Sequence, residues 1–182
     1  MDRGGDITFH GPGQLVGYPV IDLKRHTRDL HWYLRQLEAA LIAALAEMGI
    51  IGERRQGFTG VWTDGRKLAS IGVHARDWVT WHGFALNVTT DLSFFDLIVP
   101  CGIRAVEMTS IFAELMRQDA GDWVADASGA GPPPSAVLAP DDILARLART
   151  RVVHGVAGVF GLDVVVLDPR ELERVAATTV PA

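Results

Sequence analysis

The chain has 182 residues, 48% of them hydrophobic and 21% charged, and a net charge of −5. That is one domain's worth of folded chain with a real core, and its acidic balance excludes nucleic acid as the main partner, because phosphate binding needs concentrated Lys and Arg. No apolar run reaches the length of a membrane span, and the opening Met1-Asp2-Arg3-Gly4-Gly5 does not read as a signal peptide, so a soluble cytoplasmic protein with no membrane partner is expected.

Of the 17 basic residues, fifteen are Arg and only Lys24 and Lys67 are Lys. Arg stays charged, whereas burial or neighbours move the ionisation of a Lys, which suits acid–base work. Lys67 is therefore a candidate on composition alone.

The opening 19 residues hold five glycines and two prolines around short alternating segments. Strands are predicted over Ile7 to Phe9 and Leu15 to Val20, joined by a tight loop over His10 to Gln14 that exposes amides beside Arg3, Asp6, Thr8, His10 and Gln14. The glycine spacing is neither a dinucleotide fingerprint nor a P-loop. From Asp29 to Met48, Leu30, Leu34, Leu37, Leu41, Leu45 and Met48 recur every three or four positions, with Thr27 or Asp29 to cap and Gly49 to stop. This predicts an amphipathic helix covering one face of a sheet, with Trp32 and Tyr33 as packing residues.

Three strands follow: one at residues 60–62, a turn at Thr63-Asp64-Gly65, one over Arg66 to His74, a turn at Ala75-Arg76-Asp77, and one over Val79 to Val88. Strict alternation puts Lys67, Ala69, Ile71 and Val73 on one face. Such a lysine either meets a partner there or lays its stem over the core and reaches water.

Cys101 is the only cysteine, set between Pro100 and Gly102 behind the apolar run Leu97, Ile98 and Val99. Pro100 fixes the preceding backbone and Gly102 lets another molecule approach, which presents a thiol to a ligand; otherwise a lone Cys is a small buried hydrophobe. His10, His74, His82 and Cys101 lack the close pairs of a structural zinc site, so no metal is expected. Thr109-Ser110 caps a short helix carrying Ile111, Phe112, Leu115 and Met116. Residues 119–140, rich in Ala, Gly, Ser and Pro, read as a flexible loop. A helix from Asp141 or Asp142 towards Phe160 is stopped by Gly161. A strand over Leu162 to Leu167 and a last short helix at Asp168-Pro-Arg-Glu171 complete the pattern.

Three blocks together resemble the lipoyl(octanoyl)transferase family, the octanoyl-carrier-protein to protein octanoyltransferases of lipoic acid assembly. They are Arg3-Gly4-Gly5-Asp6-Ile7-Thr8-Phe9-His10 continuing to Pro19; Lys67-Leu-Ala-Ser70-Ile71-Gly72-Val73 with His82-Gly83-Phe84-Ala85-Leu-Asn87; and Ile98-Val-Pro-Cys101-Gly-Ile103 followed by Thr109-Ser110. The resemblance implies an α/β (α+β) single domain with a mixed sheet flanked by helices, like the catalytic domains of lipoate and biotin protein ligases. It implies that Cys101 is the acyl-accepting nucleophile and Lys67 the residue that activates it. Arg3 to His10, Ser70 to Gly72 and Gly83 to Ala85 would line the acyl site.

The implied reaction needs no cofactor, and its partners are octanoyl-acyl carrier protein and the lipoyl domains of 2-oxoacid dehydrogenase complexes and the glycine cleavage protein. In the family a sizeable segment precedes the Arg-Gly-Gly block, which here begins at the third residue. The expectation is one catalytic domain over residues 1–182 without that segment. The rival readings are an ATP-dependent lipoate or octanoate ligase, which needs no thiol, an inactive truncated binding homologue, and a cysteine hydrolase releasing free acid.

Overall fold

The computed structural model describes residues 9–98, 106–125 and 141–168; for 119–125 and 141 only the helical backbone is described. Arg3 to Thr8, Cys101 and the helix expected after Asp168 lie outside the described residues. Four strands, β1 (Gln14–Gly17), β2 (Val61–Thr63), β3 (Arg66–Arg76) and β4 (Val79–Asn87), form one sheet in the order β1-β4-β3-β2. Three helices, α1 (Leu30–Ala46), α2 (Ile111–Ala125) and α3 (Asp141–Phe160), and 3-10 turns at Leu23–Arg25 and Leu92–Leu97 complete it.

The predicted helix is α1. Asp29 caps it, accepting from the amides of His31 at 2.7 Å and Trp32 at 3.2 Å. Gly49, at φ +79, ends it. Its stripe of Leu37, Leu41 and Leu45 is fully buried, each side chain contributing about 1.5–3 kcal/mol. Leu41 and Leu45 meet Ala69, Phe84 and Leu86 of the sheet and Leu144, Ala148 and Val152 of α3 in one apolar cluster, so both helices cover the same face, while Leu37 packs with Leu23, Tyr33 and Phe160 of α3 in a second. The two helices touch at backbone distance: a Cβ on Gly155 would stand 2.5 Å from the Ala40 carbonyl oxygen. α3 stops at Gly161, whose left-handed backbone lets the Leu162 amide reach the Ala157 carbonyl at 2.8 Å.

Both hairpins close as their turn chemistry demands. Asp64 and Gly65 have φ of 45° and 77°, Asp77 and Trp78 of 52° and 67°. Two successive left-handed residues match the twist of the flanking strands. The second turn falls at Asp77-Trp78, so β3 runs two residues beyond His74.

Elsewhere the structure differs from the sequence reading. Phe9 lies outside any strand, and β1 covers only residues 14–17, since Pro19 has no amide to extend the ladder. Among the described residues every strand pairing is antiparallel, and the parallel component is a single bridge between Lys67 and Met108. The short helix after Ser110 continues to Ala125, so residues 119–125 of the expected loop are helical. A cap at Ser110 and several turns of propagation outlast the roughly 1 kcal/mol cost of Gly121. Residues 162–167 form no strand, and Val166 stays 89% exposed. β-branched residues favour a strand only where an edge is present to pair with, and none meets this segment among the described residues. No described helix is long and apolar enough to cross a membrane.

Because Gly155 lies against the Ala40 backbone, Gly155→Leu is expected to destabilise the fold by about 1–3 kcal/mol through overpacking, read as a lowered urea midpoint. Gly158→Leu, on the same helix where an added Cβ meets nothing within 4 Å, is the control and should change the midpoint little.

Candidate active site

The site is organised by a break in the alternation of β3. Val61 of β2 pairs with Ala69, yet its neighbour Trp62 pairs with Lys67, so β3 spends one extra residue, Leu68, at a β-bulge. Leu68 and Ala69 are consecutive, both fully buried, and both in the apolar cluster beneath the helices. The alternation therefore restarts, and Lys67 leaves the sheet on the face opposite α1 and α3, with Ser70 and Gly72. This corrects the strict reading that grouped Lys67 with Ala69, Ile71 and Val73. The idea of a surface lysine also fails: Lys67 is 1% exposed, and its Nζ lies 5.2 Å from the ring centroid of Trp62.

The backbone of Lys67 fixes the chain that follows the cysteine. β4 ends at Asn87, which leaves the edge of β3 open at Lys67, and residues 107–109 fill it. The Lys67 amide donates to the Glu107 carbonyl at 2.8 Å, and the Thr109 amide donates to the Lys67 carbonyl at 2.9 Å. Asn87, 1% exposed, ties this junction to the opening block. Its Nδ2 donates to the Thr109 carbonyl at 2.9 Å, and its Oδ1 accepts from Gln14 Nε2 at 2.9 Å. Gln14 Nε2 also reaches the Phe9 carbonyl at 3.2 Å, and Gln14 Oε1 lies 3.1 Å from His10 Nδ1.

A second polar group clamps α2 to the same place. Arg66 grips the Glu114 carboxylate with two nitrogens, at 3.0 and 2.9 Å. Thr109 Oγ1 and Arg117 also donate to Glu114. Burial pushes the Glu114 carboxyl up, but the hydrogen bonds from Arg66 and Thr109, with the charges of Arg117 and Arg66, outweigh it and hold the group below its ordinary value. The hydrogen bonds from Arg66 to Glu114 in turn hold its guanidinium well above its usual range.

Aromatic contacts bring the first block to the segment leading into Cys101. Phe9 stacks on Phe94, centroids 4.9 Å apart, and meets Phe95 edge-on at 5.4 Å. Phe9 and Gln14 of the first block, Lys67 and Asn87 of the second and Thr109 of the third are thus linked at one junction.

Of the residues expected to line an acyl site, Ser70 pairs with Ala85 and Gly72 with Gly83 across β3 and β4. A Cβ on Gly72 would meet nothing within 4 Å, whereas one on Gly83 would fall 2.1 Å from the Gly17 carbonyl oxygen, so glycine there lets β1 approach. Ile71 and Phe84, paired with each other, pack into the helix-covered core. Arg3, Gly4, Gly5, Asp6, Ile7, Thr8 and Cys101 lie outside the described residues.

The sequence reading missed Trp62, Asn87, Glu114 and the buried Glu38, which accepts from Arg35 at 2.6 Å, Arg54 at 3.0 Å and the Gly60 amide at 3.2 Å. The available signal was polarity out of place: Asn87 closes an apolar strand, and Glu38 interrupts a leucine stripe.

The family described as lipoyl protein ligase A/B catalytic domain matches residues 1–128, and the chain belongs to that family. Curated relatives with which the chain aligns include octanoyltransferases. That of Geobacter metallireducens is 65% identical over 116 residues, 64% of this chain and 54% of the relative. That of Synechococcus elongatus is 60% identical over 108 residues, 58% and 46%. That of Nostoc punctiforme is 40% identical over 174 residues, 96% and 65%.

The chain spans about half the length of the first two. Among solved structures, lipoate-protein ligase A bound with ATP superposes with a TM-score of 0.57 at 13% identity, over 96% of this chain and 64% of that one. A bipartite lipoate protein ligase of Thermoplasma acidophilum, described with its E2 lipoyl domain, gives 0.55 at 15% identity, over 96% and 63%. These likenesses establish the α+β fold expected from the three blocks.

Two outcomes test the junction. Asn87→Leu leaves the Thr109 carbonyl and the Gln14 amide without their buried partner and should cost about 1–3 kcal/mol, with faster exchange of the Lys67 and Thr109 amide protons. Because the Glu114 carboxyl is held low, its contribution to stability is complete above the ordinary glutamate value of 4.5 and is lost as pH falls through the lowered value. A urea midpoint followed downward from pH 7 should therefore fall more steeply below about pH 4.5 for the native chain than for Glu114→Gln.

Proposed function

We propose that this chain is an acyltransferase domain that moves an octanoyl group from octanoyl-acyl carrier protein to a lysine of a lipoyl domain, through a thioester on Cys101. One observation carries the reading. Lys67 is buried on the face opposite the helices, and its backbone is paired to the segment beginning six positions after Cys101, a span of at most about 20 Å. The octanoyltransferase names of the relatives support the reaction.

In the first half-reaction the Cys101 thiolate adds to the carbonyl of the donor thioester. A new C–S bond forms, and the carrier's C–S bond breaks, releasing the carrier as a thiolate, which is balanced by the proton the acceptor amine later sheds. In the second, the ε-amine of the acceptor lysine adds to the same carbonyl. The C–N bond of an amide forms, Cys101 leaves as thiolate, and the amine sheds a proton. A free thiol ionises near pH 8.5, so a cationic Lys67 beside it favours the reactive form. One thioester is exchanged for another and then for a more stable amide, so no ATP, metal or cofactor is needed.

Ser70, Gly72 and Ala85 would form the floor against which the acyl chain lies, with residues 3–10 closing the site and Gly83 allowing β1 to approach. Ile71 and Phe84 support that floor from the core. The acceptors are the lipoyl domains of 2-oxoacid dehydrogenase complexes and the glycine cleavage protein, and the setting is the cytoplasm.

Mixing the chain with octanoyl-acyl carrier protein should give an octanoyl adduct in an intact-protein mass spectrum, discharged when a lipoyl domain is added. Cys101→Ala should give none, and Lys67→Ala should form it about 10²–10⁴-fold more slowly. Full activity of Cys101→Ser with ATP and free octanoate would replace this reading with that of a ligase.

A further inference from the structure

We propose that His10 is a catalytic residue of the second half-reaction, its Nε2 taking the proton that the acceptor lysine sheds as the amide forms. The inference rests on the reading of the chain as an octanoyltransferase, and it names the group on which that proton lands.

Two backbone carbonyls decide which nitrogen of the His10 ring is the base. A carbonyl oxygen only accepts, so the Asn87 atom 2.9 Å from the Thr109 carbonyl is its NH2 group, and so is the Gln14 atom 3.2 Å from the Phe9 carbonyl. Each amide then turns its oxygen the other way. Asn87 Oδ1 accepts from Gln14 Nε2 at 2.9 Å, and Gln14 Oε1 lies 3.1 Å from His10 Nδ1. An amide oxygen has no proton to give, so Nδ1 carries the hydrogen. In the neutral ring Nε2 therefore holds the lone pair of a base.

The loop that carries the ring is tied to the chain on both sides of the nucleophile. Phe9 stacks on Phe94, seven positions before Cys101. The two amides lead to Thr109, eight positions after it, whose own amide donates to Lys67. Gly13 clamps the loop: its carbonyl accepts from the Val88 and Thr89 amides, each at 3.0 Å, and a Cβ there would stand 2.6 Å from the Thr89 carbonyl carbon. His10 itself is exposed. An acceptor on another protein brings its amine from solution, and a base facing solution can meet it and return the proton to water.

When the neutral ε-amine adds to the Cys101 thioester, its nitrogen becomes positive with two hydrogens. Nε2 takes one of them, which stops the amine from leaving again. The carbonyl re-forms, the C–S bond breaks, Cys101 departs as thiolate, and the amide keeps the other hydrogen. The imidazolium then gives the Nε2 proton to water and regains its lone pair. Loading exchanges one thiolate for another and moves no such proton, so the two half-reactions separate this role from a structural one.

Long-range proton-nitrogen spectra of protein labelled in histidine distinguish the ring tautomers, with His10→Asn assigning His10 among the six histidines. At a pH where the ring is neutral, its hydrogen should be on Nδ1. Loading from octanoyl-acyl carrier protein and discharge to a lipoyl domain are then timed separately by quenched intact-protein mass spectrometry. His10→Asn keeps an NH2 group to donate to Gln14 and has no basic nitrogen. Its discharge should slow about 10²-fold, and by roughly tenfold more than its loading.

A ring protonated on Nε2, or equal losses in the two steps, overturns the proposal. A native chain that takes no octanoyl group removes the transfer reading and the base role with it. A native chain that loads, with His10→Asn discharging at the native rate, removes the base role alone.

Discussion

Everything at the candidate site depends on the two backbone hydrogen bonds of Lys67 with Glu107 and Thr109. β4 stops at Asn87, and the edge it leaves on β3 would otherwise hold an unpaired amide and carbonyl in a buried place. Each such group costs about as much as a lost hydrogen bond. Residues 107–109 satisfy both and in doing so bring the chain leaving Cys101 to the lysine. The parallel direction of that bridge follows from the long connection after β4, since a tight turn joins only antiparallel neighbours.

The buried side chains of Asn87, Glu114 and Glu38 around this junction each find their partners, which is the condition for tolerating them. Asn87 spends its donor on Thr109 and its acceptor on Gln14, so one amide coordinates two segments separated by more than ninety residues of chain. Glu114 pairs with two arginines, and Glu38 with two more. Ion pairs of this kind repay their desolvation only in part, so the leucine stripe of α1 against the sheet is the better source of net stability. What the ionic groups contribute is position: Glu114 fixes the start of α2 against β3, and Glu38 fixes Gly60 beneath the lysine.

Much of this was legible in the sequence, wherever a local rule decides the outcome. The α1 stripe, the Asp29 cap, the stops at Gly49 and Gly161 and the Asp64-Gly65 turn each follow from periodicity or from a residue's own conformational preference. The three sequence blocks also pointed to one family and its fold. What was not legible depends on pairing across the chain. Residues 162–167 carry the composition of a strand yet have no edge to join. The loop expected from residue 119 began inside a helix, because a cap at Ser110 counts for more than a nearby glycine. Lys67 was recognised as chemically unusual, but alternation put it on the wrong face, since a bulge is visible only in the register of two strands.

That bulge is also what makes the sheet serve two purposes. A strictly alternating β3 would point Lys67 into the leucines of α1, where no arrangement of charge could be satisfied without dismantling the core. Doubling Leu68 and Ala69 on the helix side keeps the apolar layer continuous and sends the lysine to the other face in a single step. The same register sets Trp62 opposite it, so the residue that loses water gains an aromatic surface from the strand that displaced it. One extra residue in one strand thus separates the face that stabilises the fold from the face that carries the lysine.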